Sequence, residues 1–147
     1  MNCIETTQKV EFCVCYLTTT PYKRFDSYRY RIEVTVSGGV QAKGLIIDFD
    51  NLRNCIIKVV PNHRYVFCKA DNEACQVADT LQKIGITSVG YDFVISAENL
   101  VKHFAQAIQE VISDVYNGLC VEDVKLYETP NSVSYTHLRA HETLANL

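Results

Sequence analysis

The stretch YRYRIEVTV, Tyr28 to Val36, alternates without a break. Tyr28, Tyr30, Ile32, Val34 and Val36 fall on one side, and Arg29, Arg31, Glu33 and Thr35 on the other. A helix repeats its apolar face every three or four residues, so a strict period of two demands a strand with one dry face and one wet face. Such a strand is not stable alone. Its dry face needs neighbouring strands and a covering layer.

The neighbours follow from local signals. Val10–Leu17 is rich in aromatic and branched residues and reads as a first strand. Ser37–Gly39 (SGG) predicts a turn, with Gly44–Ile47 returning antiparallel. Asp48 or Asp50 caps a helix whose apolar stripe is Phe49, Leu52, Cys55, Ile56 and Val59, and Pro61 closes it. A strand at Arg64–Cys68, a helix from Asn72 to Ile84 stopped by Gly85, and a strand at Tyr91–Ile95 come next. Ser96 caps the longest helix, which buries Val101, Phe104, Ile108, Val111, Ile112 and Val115 before Asn117-Gly118. Val121–Glu128 is the closing strand, and His103 faces the polar side of its helix.

Composition narrows the class. Hydrophobic residues make up 48% of the 147, enough for one packed core. A formal charge of −3 gives no footprint for nucleic acid or an anionic membrane surface. No apolar run reaches the roughly 20 residues that span a bilayer, and the N-terminus lacks a signal-peptide pattern. Seven scattered cysteines, an odd number without a secretory signal, point to free thiols in a reducing cytoplasm.

His137 and His141, half of the four histidines, stand at metal-site spacing near the C-terminus. No acidic or cysteine partner accompanies them. Val133–Thr143 instead back-translates into a string resembling a transposase-library sequencing adaptor. The expectation is a single domain over residues 1–131, with residues 132–147 an adaptor-derived tail outside the fold, no metal site there, and natural residues beyond Asn131 absent.

The final strand carries the most informative side chain. Val124, Leu126 and Glu128 share a face, so a carboxylate points where apolar residues point. That is unfavourable unless the carboxylate is hydrogen-bonded or reaches water at the strand end. Periodicity leaves both accounts open.

Four strings, in order, resemble the 6-pyruvoyl-tetrahydropterin synthase and 6-carboxytetrahydropterin synthase family. YRIEVTVSGGVQAKGLIIDFDNLRN is similar to its strand, turn, glycine, Asp-Phe and helix. NHRYVF resembles its Asp-His segment, ISAENL its Pro-Thr-x-Glu-Asn helix start, and VEDVKLYET its closing strand with a pterin-binding glutamate. The resemblance implies an α+β T-fold, an antiparallel four-stranded sheet with helices packed on one face. It further implies a homo-oligomer with sites at subunit interfaces, and a pterin-type ligand held by Glu128. A carboxylate's two oxygens match the amino group and ring nitrogen of such a heterocycle.

The family's catalytic apparatus is replaced. It holds zinc through three histidines and acts as a carbon-oxygen or carbon-carbon lyase on dihydroneopterin triphosphate. Tyr16, Asp26 and Tyr28 stand at those three positions here. Neutral phenols, with pKa near about 10, are poor zinc ligands. Tyr22 stands where the reactive cysteine belongs, and Cys15 falls on the opposite strand face from Tyr16. The Asp-His pair reads Asn62-His63, leaving His63 either a candidate catalytic residue or an ordinary surface histidine. The expectation is therefore a cytoplasmic, zinc-free, pterin-binding protein without the lyase chemistry. An active zinc-dependent synthase, or a zinc-free pterin aldolase or epimerase in which Asp26, Tyr28 and His63 converge with Glu128, are the alternatives.

Overall fold

The computed structural model describes residues 3–39, 47–129 and 132–137. Two long strands come first, β1 (Cys3–Thr18) and β2 (Arg24–Gly39), paired antiparallel from Cys3↔Gly39 to Thr18↔Arg24. The alternating stretch lies within β2, and from Tyr30 to Val36 its apolar row is fully buried. Ser37–Gly39, expected as a turn, instead continues β2. A Cβ on Gly38 would stand 2.5 Å from Leu119 Cδ2, so this glycine serves a close approach and not a reversal. The return strand expected at Gly44–Ile47 lies outside the described residues except for Ile47, which is a buried bend.

Helix α1 (Phe49–Val59) begins where Asp48 accepts a hydrogen bond from the Asp50 amide, and it buries Leu52, Cys55 and Ile56. Strand β3 (Arg64–Cys68) and α2 (Asn72–Lys83) follow, and Gly85 turns the chain at φ 84°. Strand β4 occupies Ser88–Tyr91 and not Tyr91–Ile95. Its partner β3 ends at Cys68, opposite Tyr91, so the chain beyond has no strand to pair with and turns into the next helix. The Asn99 side chain holds that turn by donating to the Val94 carbonyl at 2.8 Å. Helix α3 (Ala97–Val115) starts at the Ser96 cap and buries Leu100, Phe104 and Ile108 in the core that also holds the β2 row. Strands β5 (Cys120–Thr129) and β6 (Ser132–His137) complete the order.

One mixed sheet results, β4-β3-β1-β2-β5-β6. The chain has the expected α+β class, but the expected four-stranded antiparallel sheet is corrected to six strands. Strands β1, β2, β5 and β6 are antiparallel, and β3 and β4 are added parallel to β1. The helices do not share one face either. Val14 and Val66 lie in the core with α1 and α3, whereas Tyr65, alternating with Val66, sends its hydroxyl to the Ala74 carbonyl of α2. Helix α2 therefore covers the opposite face, where its small residues Ala74 and Ala78 allow close approach.

The tail expectation is also corrected in part. Ser132–His137 pairs with β5 from Asp123↔His137 to Thr129↔Ser132, and Thr136 is buried. Alternation suits these residues to an edge strand whatever their coding origin. Residues 138–147, His141 among them, lie outside the described ones. No helix among the described residues is long and apolar enough to cross a membrane.

Candidate functional site

The β1–β2 hairpin assembles the first part of the site. Tyr16 pairs directly with Asp26, and Tyr28 pairs with Val14, so Tyr16, Asp26 and Tyr28 share the face that carries Phe12 and Tyr30. The three positions matched to the family's zinc ligands thus come together. The Tyr16 and Tyr28 rings stack with centroids 4.9 Å apart and planes within 10°. Tyr28 stacks in turn on Tyr30 at 5.7 Å. Asp26 accepts from Arg24 Nε at 3.0 Å and, at 3.5 Å, from the Tyr28 hydroxyl. The Thr18 hydroxyl and the Arg24 guanidinium hold the Asp26 carboxyl below the usual carboxylate range.

This donor set does not fit zinc. Burial, then the Tyr28 hydroxyl, pushes the Tyr16 phenol far above the ordinary tyrosine value, which keeps it protonated and a poor metal ligand. The carboxylate of the trio is already paired with Arg24. Tyr22, at the position of the family's cysteine, is exposed, and its carbonyl accepts from Arg24. Cys15 pairs with Ser27 and Tyr65 on the far face, where burial raises its thiol.

His63 is not brought to the tyrosines within one chain. Arg64 pairs with Val14, so His63 is level with Cys13, three strand residues or about 10 Å from Tyr16. It is an exposed residue at φ 58°, and its amide donates to the Cys13 carbonyl at 2.7 Å. Asn62 does not orient it, because Asn62 Oδ1 accepts from the Cys13 amide at 2.9 Å. The two residues tie the start of β3 to β1. The convergence of Asp26, Tyr28 and His63 with Glu128 is absent from the single subunit.

Glu128 ends the row of Val124 and Leu126, both 0% exposed, yet is itself exposed. A pairing irregularity between Tyr127 and Thr129 falls at this residue. The register Ile32↔Leu126, carried two residues further, sets Glu128 opposite Tyr30. In the sequence Tyr30 stands out only as a member of the alternating apolar row. It is 0% exposed, and burial pushes its pKa up to about 12, opposed by the neighbouring Tyr16 hydroxyl and helped by the charges of Glu128, Tyr28 and Glu98. The strand row shows that Tyr30 is buried. The Glu128 and Glu98 charges near it come from the β5 end and the α3 start, which only the fold brings near.

Two cavities flank these elements. One of about 450 Å³ opens where β1 and β3 stop pairing after Cys15↔Tyr65, lined by Tyr16, Thr18, Val66, Phe67 and Ile95 among others. The other, about 720 Å³, lies between α2 and the hairpin end on the opposite face. Neither includes Glu128 or His63.

A long antiparallel hairpin feeding a helix-backed sheet, with a glutamate closing its last core row, defines a T-fold subunit. Comparison with known proteins gives the lineage. The chain belongs to the 6-pyruvoyl tetrahydropterin synthase family, whose sequence profile matches residues 6–137. It is 24% identical over 112 residues to a 6-carboxy-5,6,7,8-tetrahydropterin synthase of Haemophilus influenzae, covering 71% of this chain and 76% of that protein. Its fold is similar to that of an uncharacterised Wolinella succinogenes protein (TM-score 0.72, 14% identity, 93% of this chain and 99% of the other). It is also similar to 6-pyruvoyltetrahydropterin synthase from Plasmodium vivax (TM-score 0.68, 13% identity, 93% and 98%).

Proposed function

We propose that this chain binds a pterin or a closely related flat heterocycle through Glu128 and lacks the family's zinc-dependent lyase chemistry. Membership of the family supports the ligand class. The position of Glu128, at the end of a core-facing row and opposite a buried tyrosine, supports its role. An ionised carboxylate there accepts two parallel hydrogen bonds from a ring N–H and its adjacent amino group. The observation that carries the loss of lyase chemistry is the Tyr16–Tyr28 stack, which fills the place of metal donors with two phenol rings. A zinc-free aldolase or epimerase would need His63 near Tyr28, and the two lie apart in one subunit. Assembly into a homo-oligomer is part of this reading, since Glu128 and His63 are both exposed on a single chain.

Neopterin fluorescence titration and metal analysis of the purified chain test the proposal together. Neopterin is expected to bind the unaltered chain, with an affinity lowered at least about tenfold in Glu128→Ala, the loss of a charge-assisted pair. Zinc is expected well below one ion per chain. Stoichiometric zinc, or equal binding by Glu128→Ala, would overturn it.

A further inference from the structure

The Tyr16 ring ends a stack that is open on one side. Tyr28 lies on it with centroids 4.9 Å apart and planes within 10°, and Tyr30 is stacked behind Tyr28. The Tyr28 and Tyr30 hydroxyls meet the Tyr16 hydroxyl. Tyr28 belongs to β2, so the covered face of Tyr16 looks toward β2, and its other face looks toward β3, the second neighbour of β1. No ring covers that face among the described residues, and Tyr16 is only half-buried. The cavity of about 450 Å³ begins there. It exists because two strands diverge. Strand β1 stays with β2 to Thr18↔Arg24, β3 stays with β4 to Cys68↔Tyr91, and pairing between β1 and β3 ends at Cys15↔Tyr65. That register, carried one residue further, sets Val66 level with Tyr16, and the turn before α3 adds Ile95 to the cavity wall. The result is a slot with an aromatic face on one side and branched aliphatic side chains on the other.

We propose that this slot is a second binding site, in which a flat, electron-poor, uncharged heteroaromatic ring stacks on Tyr16 against Val66 and Ile95. Small-molecule sites run from about 300 to 1,000 Å³ with mostly apolar walls, and the slot falls within that range. Stacking adds to the burial of area, because the negative face of a phenol attracts a ring whose electrons are withdrawn by nitrogens and carbonyls. Asp71 is among the lining residues, its Oδ1 held by the Ala74 amide, and a carboxylate there disfavours anionic ligands. A puckered, saturated ring cannot lie against the phenol over its whole face, so the slot selects for flatness. The site is separate from that of Glu128, which ends β5 on the far side of β2 from β1. The inference therefore goes beyond the reading of Glu128 and stands without it.

Fluorescence titration of the full chain with lumichrome is the test. Lumichrome is flat, uncharged and rich in ring nitrogens and carbonyls. It lacks the amino group that Glu128 would accept from, and its emission is quenched when it stacks on a phenol. The unaltered chain is expected to bind it with strong quenching. Tyr16→Leu removes the platform and should weaken binding by about five- to tenfold. Tyr16→Phe keeps a ring without the electron-donating phenol. It should bind within about twofold of the unaltered chain while much of the quenching disappears, a change that a merely structural role would not produce. Ile95→Trp fills the slot and should abolish binding. Thermal melting establishes that each variant is folded. Unchanged affinity in either Tyr16→Leu or Ile95→Trp overturns the proposal. So does a loss in Tyr16→Phe as large as in Tyr16→Leu, which would put the hydroxyl and not the ring in contact. Two outcomes need no variant: the unaltered chain failing to bind lumichrome, or binding it without loss of emission, rejects the slot.

Discussion

Asn62 illustrates how one atom's commitment reassigns a residue. Aligned with the family's catalytic aspartate, it has exchanged a carboxylate for an amide. Its Oδ1 holds the Cys13 amide of β1 at 2.9 Å while the next residue's amide holds the Cys13 carbonyl at 2.7 Å. Those two bonds satisfy both polar groups of Cys13 on the β3 side, just before strand pairing begins at Val14↔Arg64. Asn62 is thus a fastening for the sheet. Asn62→Ala is expected to lose about 1 kcal/mol or somewhat more in urea unfolding, because it strands a backbone donor. Asn62→Asp keeps an acceptor and should lose much less. Equal stability of Asn62→Ala and the unaltered chain would show that Asn62 does not fasten the sheet.

Among the elements, α3 and the turn leading into it are coupled by His103. Alternation around the helix placed this residue on the polar side, yet its ring packs at 5.0 Å from Tyr91 of β4 and 5.6 Å from Phe93. Tyr91 and Phe93 stack on each other at 4.9 Å, and the turn that follows supplies Val94 and Ile95 to the smaller cavity. Burial among the rings lowers the His103 pKa below its ordinary 6.5, with the Glu110 charge opposing. The unfolded chain then binds more protons than the native one between the lowered value and about 6.5, so stability rises with pH across that window. It is present above the unfolded pKa and lost as pH falls through the folded one. Urea midpoints at pH 7.5 and pH 5 should therefore differ less in His103→Phe than in the unaltered chain. An unchanged difference would place the acid sensitivity in other groups.

At the level of the whole molecule, local and non-local information separate cleanly. The alternating row of β2, the caps Asp48 and Ser96, and Gly85 as a stop were all legible because each signal lies within a few residues of its effect. The grouping of Tyr16, Asp26 and Tyr28 came from the family resemblance alone, because local signals pair the alternating strand with Gly44–Ile47 and not with β1, whose register brings the three together. The side taken by α2 was not legible. Its stripe of Ala74 and Ala78 declares that a face is buried, but only the crossover from β3 to β4 decides against which side of the sheet. The same limit applies to Ser132–His137, where coding origin suggested a loose tail and the sheet offers a partner. Strand β6 covers the outer edge of β5, buries Thr136, and aims the Tyr135 hydroxyl at Asp123 at 2.8 Å. A chain ended after Asn131 would leave β5 as an edge, with its backbone groups turned to water and open to pairing with other chains. Its Tm is expected to fall by roughly 5–10 °C, corresponding to a loss of about 2 kcal/mol, with more aggregation on heating. Replacing Thr136 alone with Asp, which puts a charge into a buried position of β6, should move the Tm in the same direction by less. If the shortened chain melts like the full one and stays monodisperse, β6 contributes nothing to stability, and the fold proper ends with β5.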